Sequence, residues 1–201
     1  MSGTAKIILI AAAVILLAAA ALVAEVLRGC CGARQAPGVI EASIATRLRS
    51  WAVPTQARNS RNPFVSSPEL LQESSHHFAD HCASCHGNDG SGNTEVGRNL
   101  YPRAPDMRLA ATQQLSDGEL YYIIHNGVRW SGMPAWGGSG DDPDSWKLVL
   151  FIRHLRSLTD QEIRDMQRFN PKSQAEREEE EEEQQFLEGG SAPPSHTEKS
   201  Q

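Results

Sequence analysis

The sequence predicts an all-α domain carried behind a membrane-spanning helix and followed by a disordered acidic tail. Three observations predict it. Ile7 to Ala24 is an unbroken apolar run; capped segments with helical apolar spacing fill the middle of the chain with no convincing strand between them; and six consecutive glutamates run from Glu178 to Glu183. The division that follows places a signal-anchor helix at 1–28, a juxtamembrane amphipathic segment and tether at 29–66, the folded domain at 67–170 and a disordered Glu-rich tail at 171–201. The net charge of -6 over 201 residues argues against a nucleic-acid binder, which needs a clustered basic surface.

The apolar run is 18 residues long, and Val26 and Leu27 extend it past Glu25. At helical rise it reaches about 30 Å, the thickness of a bilayer core. A single Lys6 before it, its length, and small-x-small matches only inside it favour an uncleaved anchor over a cleaved secretory signal. Either reading exports the domain. Arg28, Arg34 and Arg47 follow the run, so charge bias alone would leave the C-terminus inside; the covalent chemistry argued below outweighs that tendency. Cys30 and Cys31, just past the helix, are read as small juxtamembrane residues, with lipidation or cross-linking as alternatives.

Ile40, Ile44, Leu48 and Trp51 recur at helical spacing beside Arg47 and Arg49, until Pro54 stops the pattern. This fits an amphipathic helix at the membrane surface, or equally one continuing the anchor or packing on the domain. Residues 55–66 are mostly polar and read as a tether. The domain opens at Ser66-Ser67-Pro68-Glu69, where Ser66 and Glu69 form a capping box or Ser67 caps a helix with Pro68 at its first position. Leu71, Phe78 and Cys82 share a face of that helix. Ser116-x-x-Glu119 starts a second helix with Leu120, Ile123 and Ile124, ended by Gly127. Asp142-Pro143 starts a third, striped by Leu148, Phe151, Ile152, Leu155 and Leu158, and Thr159-x-x-Glu162 caps another short turn. The glutamate run reads as a solvated tail.

The chemistry is concentrated in Cys82-Ala83-Ser84-Cys85-His86. Two thiols three residues apart on one helical turn reach the two vinyl groups of a haem, and the next residue puts its imidazole under the iron. A reducible Cys-x-x-Cys pair is the competing reading, but that motif usually follows a strand in a βαβ unit. For the sixth position, Met133 lies 47 residues beyond His86 in Gly132-Met133-Pro134-Ala135-Trp136-Gly137, a stiff loop-like segment. Trp130 and Trp136 could cover the ring. His125 is the serious rival for the iron; Met107 lies in a Pro-rich approach, and His76, His77 and His81 precede the attachment turn awkwardly.

These residues, with Gly-Asn-Asp-Gly after His86, Leu100-Tyr101-Pro102, Pro105-Asp106, Leu115-Ser116-Asp117-Gly118-Glu119-Leu120, Asn126-Gly127 and Gly-Met-Pro-Ala-Trp, give a resemblance to class I monohaem cytochrome c domains. The likeness is greatest to those related to the cytochrome c subunits of bacterial terminal oxidases, and it covers roughly residues 68–158. It implies an all-α fold wrapped around one covalently attached haem c, crossing N- and C-terminal helices, attachment after export, and one-electron transfer. In such domains a backbone carbonyl accepts a hydrogen bond from the axial histidine; Pro102 or Pro105 is expected near it. Arg98, Arg103, Arg108 and Arg129 are candidates to pair with the haem propionates.

The expected function is a membrane-anchored electron carrier of a respiratory chain on the periplasmic side of the bacterial inner membrane, not an enzyme in itself. Its expected partners are the membrane and redox proteins: a quinol-oxidising complex, a terminal oxidase or a periplasmic dehydrogenase. From Pro68 to Leu158 there are 11 acidic and 7 basic residues, so the domain suits a basic partner face. The alternative is a haem-based gas sensor or peroxidase-like enzyme with a displaceable sixth ligand.

Overall fold

The computed structural model describes residues 3–29, 32, 36–138, 140, 142–173, 176, 177, 179, 184 and 187. Its described residues hold ten α-helices and a 3-10 turn, and no strand among them. Cys30, Cys31, Arg34 and all of the glutamate run but Glu179 lie outside the described residues. The first helix, α1 (Gly3–Gly29), contains the one stretch among the described residues long and apolar enough to cross a membrane, Gly3–Glu25. None of that stretch is buried against the rest of the protein, as a lipid-facing helix requires. Next comes α2 (Val39–Ala52), which ends before Pro54, and then α3 (Thr55–Asn59).

The polar stretch 55–66 does not run free. Ser116 Oγ donates to the Arg58 carbonyl at 2.7 Å, Arg58 Nε lies 3.3 Å from Glu119 Oε1, and Asn62 Nδ2 donates to the Trp146 carbonyl at 2.8 Å. A Cβ on Gly118 would stand 1.8 Å from the Ala57 carbonyl oxygen, so α3 sits directly on the start of α8 (Asp117–Asn126). The expected tether is therefore in large part a docked strap, held by polar contacts distant in sequence.

The domain proper starts with α4 (Pro68–His81). Of the two caps weighed for it, Ser67 is the one used: its hydroxyl accepts from Leu70 N at 3.3 Å, and Pro68 takes the first position. The remaining elements are α5 (Ala83–His86), α6 (Glu95–Asn99), α7 (Ala110–Gln113), α9 (Pro143–His154) with its 3-10 extension to Ser157, and α10 (Asp160–Gln167). Ser116 and Thr159 form full capping boxes with Glu119 and Glu162, and Asp142 caps α9. Gly127 ends α8 at a φ of 67°, a conformation that suits glycine.

α4 crosses α9, while α8 and α10 pack alongside. Burial follows the stripes read from sequence: Phe78 on α4, Leu120 and Ile124 on α8, and Leu148, Phe151, Ile152 and Leu155 on α9 form one core with Met107 and Met166. Phe78 and Phe151 meet at the crossing with ring centroids 5.0 Å apart, tilted by 52°. Polar links close the same joints. Lys147 Nζ reaches Glu73 at 2.6 Å, and the Gln113 amide donates to the carbonyls of Met107 and Ile152, each at 2.8 Å. Arg153 pairs with Asp117 and donates to the carbonyls of Gln113 and Leu115.

Ser116 satisfies two elements at once, capping α8 and holding α3, so its loss leaves orphan donors and acceptors on both. Ser116→Ala is expected to cost about 1–2 kcal/mol in denaturant unfolding. A change below a few tenths would show that the strap contributes nothing to the folded state.

Candidate functional site

Cys82 closes α4, its N–H bonded to the Phe78 carbonyl, and α5 continues the turn with His86 N bonded to the Cys82 carbonyl at 2.9 Å. Both thiols are therefore presented on one helical turn, half-buried, with Cys82 packed against the core, and neither is in a disulfide. Burial, with a smaller contribution from Cys85, pushes the Cys82 thiol up to about 12. A redox-active Cys-x-x-Cys pair depends on a depressed thiol pKa, so this environment opposes that reading and suits a thiol destined for a permanent bond.

The loop that follows His86 folds back onto its backbone. Gly92 N donates to the His86 carbonyl at 2.7 Å, and Met107 N donates to the Gly90 carbonyl at 2.9 Å. Gly92 has a φ of 69°, and a Cβ there would stand 2.3 Å from the Ala104 carbonyl oxygen; only glycine lets loop 87–92 lie on segment 104–107. Pro105 thereby comes beside the imidazole. Burial pushes the His86 pKa down, and the Pro105 backbone opposes it, although Nδ1 is buried without a hydrogen bond of normal geometry. On the other side, Thr94 Oγ1 donates to the Cys85 carbonyl at 3.0 Å, while Gly97 packs so closely that a Cβ would stand 2.2 Å from the same oxygen.

Two contacts bring the Met133 loop to this turn. Trp136 packs edge-on to His81, next to Cys82, at a centroid distance of 5.4 Å. Leu100, just after α6, lies against Gly132. The loop has its own frame: Val128 N donates to the Met133 carbonyl at 3.0 Å, Met133 N to Ser131 Oγ at 3.1 Å, and Trp136 N to the Ile124 carbonyl at 3.1 Å. Met133 itself is half-buried. His125, its rival, is engaged elsewhere: Nδ1 lies 3.1 Å from Asp142 Oδ2, and the ring stacks on Tyr121 and abuts Gly137. Met107 is buried in the core.

The remaining expected site residues separate by environment. Arg108 is committed to Asp106 at 2.7 Å and Asp89 at 3.4 Å, and Arg98 to Asn93. Arg103 and Arg129 stand exposed, as do Pro102, which follows a cis peptide bond, and Pro105. Trp130 has a φ of 59° and is 89% exposed, while Trp136 is 39% exposed. His81 was set aside in the sequence because it precedes the attachment turn; its contact with Trp136 has no local signature.

Several carboxyls near the site are held below their usual range. For Asp106 the main cause is the Arg108 hydrogen bond; for Asp142, burial is outweighed by hydrogen bonds from Ser145 and His125. A carboxyl depressed in the folded state adds stability above its unfolded pKa, about 3.9, and loses it as pH falls through the folded value. The denaturation midpoint is thus expected to fall below about pH 4, with a shallower fall in Asp142→Asn. An unchanged slope in that variant would show that Asp142 is not a source of the acid sensitivity.

The donor set of two thiols on one turn, a half-buried imidazole after them and a thioether on an adjoining loop fits a covalently held haem. The comparisons agree. Residues 69–152 match the family described as Cytochrome C oxidase, cbb3-type, subunit III. The Cbb3-type cytochrome c oxidase subunit FixP of Sinorhizobium medicae (strain WSM419) is 36% identical over 91 residues, covering 45% of this chain and 29% of that protein. FixP of Rhizobium meliloti (strain 1021) gives the same identity and coverage, and FixPc of Rhizobium leguminosarum bv. viciae is 30% identical over 90 residues, with 45% and 29% covered. The chain thus spans less than a third of the length of these curated relatives.

Proposed function

We propose that this chain, whose segment 69–152 is a c-type cytochrome domain related to subunits of cbb3-type terminal oxidases, is a membrane-anchored carrier of single electrons in respiration. The observation that carries the proposal is the Cys82-x-x-Cys85-His86 turn, with the half-buried imidazole beside the Pro105 carbonyl and the Met133 loop packed onto it through His81 and Trp136. One such motif in the sequence implies one haem c. When bound, that group supplies a one-electron iron couple.

The residues of the chain do the rest. Cys82 and Cys85 would hold the cofactor through thioether links to its two vinyl groups. His86, oriented by Pro105, and Met133 would ligate the iron, the thioether raising the reduction potential relative to a second imidazole. Arg98, Arg103, Arg108 and Arg129 are the candidates for the propionates; Arg108 is already ion-paired with Asp106 and Asp89 and Arg98 hydrogen-bonded to Asn93, while Arg129 stands exposed. The core of α4, α8 and α9 excludes water from behind the attachment turn. The domain covers residues 67–170 with the docked segment 55–66 added to it. α1 confines it to the periplasmic face of the inner membrane, near partners such as a terminal oxidase complex, a quinol-oxidising complex or a periplasmic dehydrogenase.

Redox titration with spectra on the matured, full-length protein tests this. A ferric sulfur-to-iron charge-transfer band and no carbon monoxide shift in the ferrous form are expected, with both features retained in His125→Ala. Ready carbon monoxide binding by the unmodified protein would instead establish the sensor or peroxidase-like alternative.

A further inference from the structure

We propose that α2 lies in the membrane–water interface, with its Ile40, Ile44, Leu48 and Trp51 edge among the lipid chains, and so fixes how the domain sits on the bilayer. The inference rests on the reading of α1 as the membrane anchor. The four residues are 77%, 53%, 56% and 84% exposed, an unusual state for four large apolar side chains on one helix. At 3.6 residues per turn they fall within an arc of about 80°. Ala42 and Arg49, the only residues of α2 that are half-buried, lie about 150° from the centre of that arc. The helix therefore turns Ala42 and Arg49 to the protein and its apolar edge largely away from it.

α2 is attached to the domain at both ends. Near its start, the Tyr101 hydroxyl donates to Glu41; near its end, Arg58 donates to the Ser50 carbonyl, and Val53 is buried. Glu41 flanks the apolar edge, but its carboxylate is turned to Tyr101, which lessens its opposition to anionic lipid. Arg47 flanks the other side, and with Arg58 and Trp51 it lines a groove where α2 meets α3. A guanidinium at the rim of an apolar helix edge reaches the headgroups while its stem stays with the acyl chains, and tryptophan favours the same boundary. Nine residues, 30–38, separate α1 from α2, so the helix starts no farther than about 36 Å from the end of the anchor. Rim cations, a terminal tryptophan and this short connection favour lipid over a protein partner as the occupant.

The full-length, haem-loaded protein, with Cys30→Ser and Cys31→Ser, is reconstituted in vesicles of phosphatidylcholine with a minority of phosphatidylglycerol. Nitroxide labels are placed singly at Ile44→Cys, Thr46→Cys and Leu16→Cys, and their access to oxygen and to a water-soluble nickel chelate is measured. The ratio of oxygen to nickel access at position 44 is expected to exceed that at 46 by about an order of magnitude, approaching the value at 16. Equal, water-like ratios at 44 and 46 with a lipid-like ratio at 16 would overturn the placement of α2 while leaving the anchor intact. A water-like ratio at 16 would remove the anchor reading and this inference with it. Shielding of position 44 from both reagents only when a redox partner protein is added would make the edge a protein interface and also overturn it.

Discussion

Met133→Ala is expected to open the iron: the ferric sulfur-to-iron band disappears, the ferrous protein binds carbon monoxide, and the reduction potential falls by at least on the order of 0.1 V, a fraction of the ~0.8 V that axial ligands govern. The size of the effect follows from what the thioether does. A thioether ligand, the role proposed above for Met133, stabilises the reduced iron and denies the sixth position to water and small ligands. The truncation should leave the loop standing, because its hydrogen bonds run through backbone atoms of Met133 and Trp136 and through Ser131 Oγ. Optical and redox changes can then be separated from unfolding by comparing denaturation midpoints. A six-coordinate spectrum that survives in Met133→Ala and vanishes in His125→Ala would contradict the axial assignment.

Phe151→Ala should produce the largest loss of stability in the domain, about 3–5 kcal/mol. Phe151 is 1% exposed and faces Phe78 where α4 crosses α9. The cavity cannot easily close, since α9 is held on either side by Lys147 to Glu73 and by Arg153 to Asp117. Domains of this size are stable by only about 5–15 kcal/mol, so the variant is expected to be near its unfolding threshold. Because α4 runs directly into Cys82, cofactor retention during maturation should fall with it. A shift of the denaturation midpoint equivalent to less than about 1 kcal/mol would show that the crossing is not the centre of the core.

What could be read in the sequence was what depends on neighbours in the chain. The caps at Ser116, Asp142 and Thr159 are side chains satisfying amides three residues ahead, and the α9 stripe is a single helix face; both signals are local. At the site, the attachment turn is likewise set by spacing along one helix. The short helices α3, α6 and α7 escaped notice because four or five residues carry no periodicity. The docking of 55–66 rests on Arg58 meeting Glu119 and Asn62 meeting Trp146, pairs that only the folded topology brings together. The Arg108 bond to Asp106 is local, but its second carboxylate partner, Asp89, lies 19 residues away and is brought in only by the fold. The pairing of His81 with Trp136 is of the same kind.

The docking of α3 on α8 has a consequence for which redox proteins can be served. Were residues 29–66 all slack, the haem edge could roam far from the bilayer and meet freely diffusing proteins. With 55–66 fastened down and α2 bound to the domain through Glu41 and Ser50, only residues 30–38 stand in the chain between α1 and the docked elements. On the function proposed above, so short a connection would restrict the carrier to a thin shell over the lipid, where it would trade electrons only with proteins whose own docking faces lie low on the membrane.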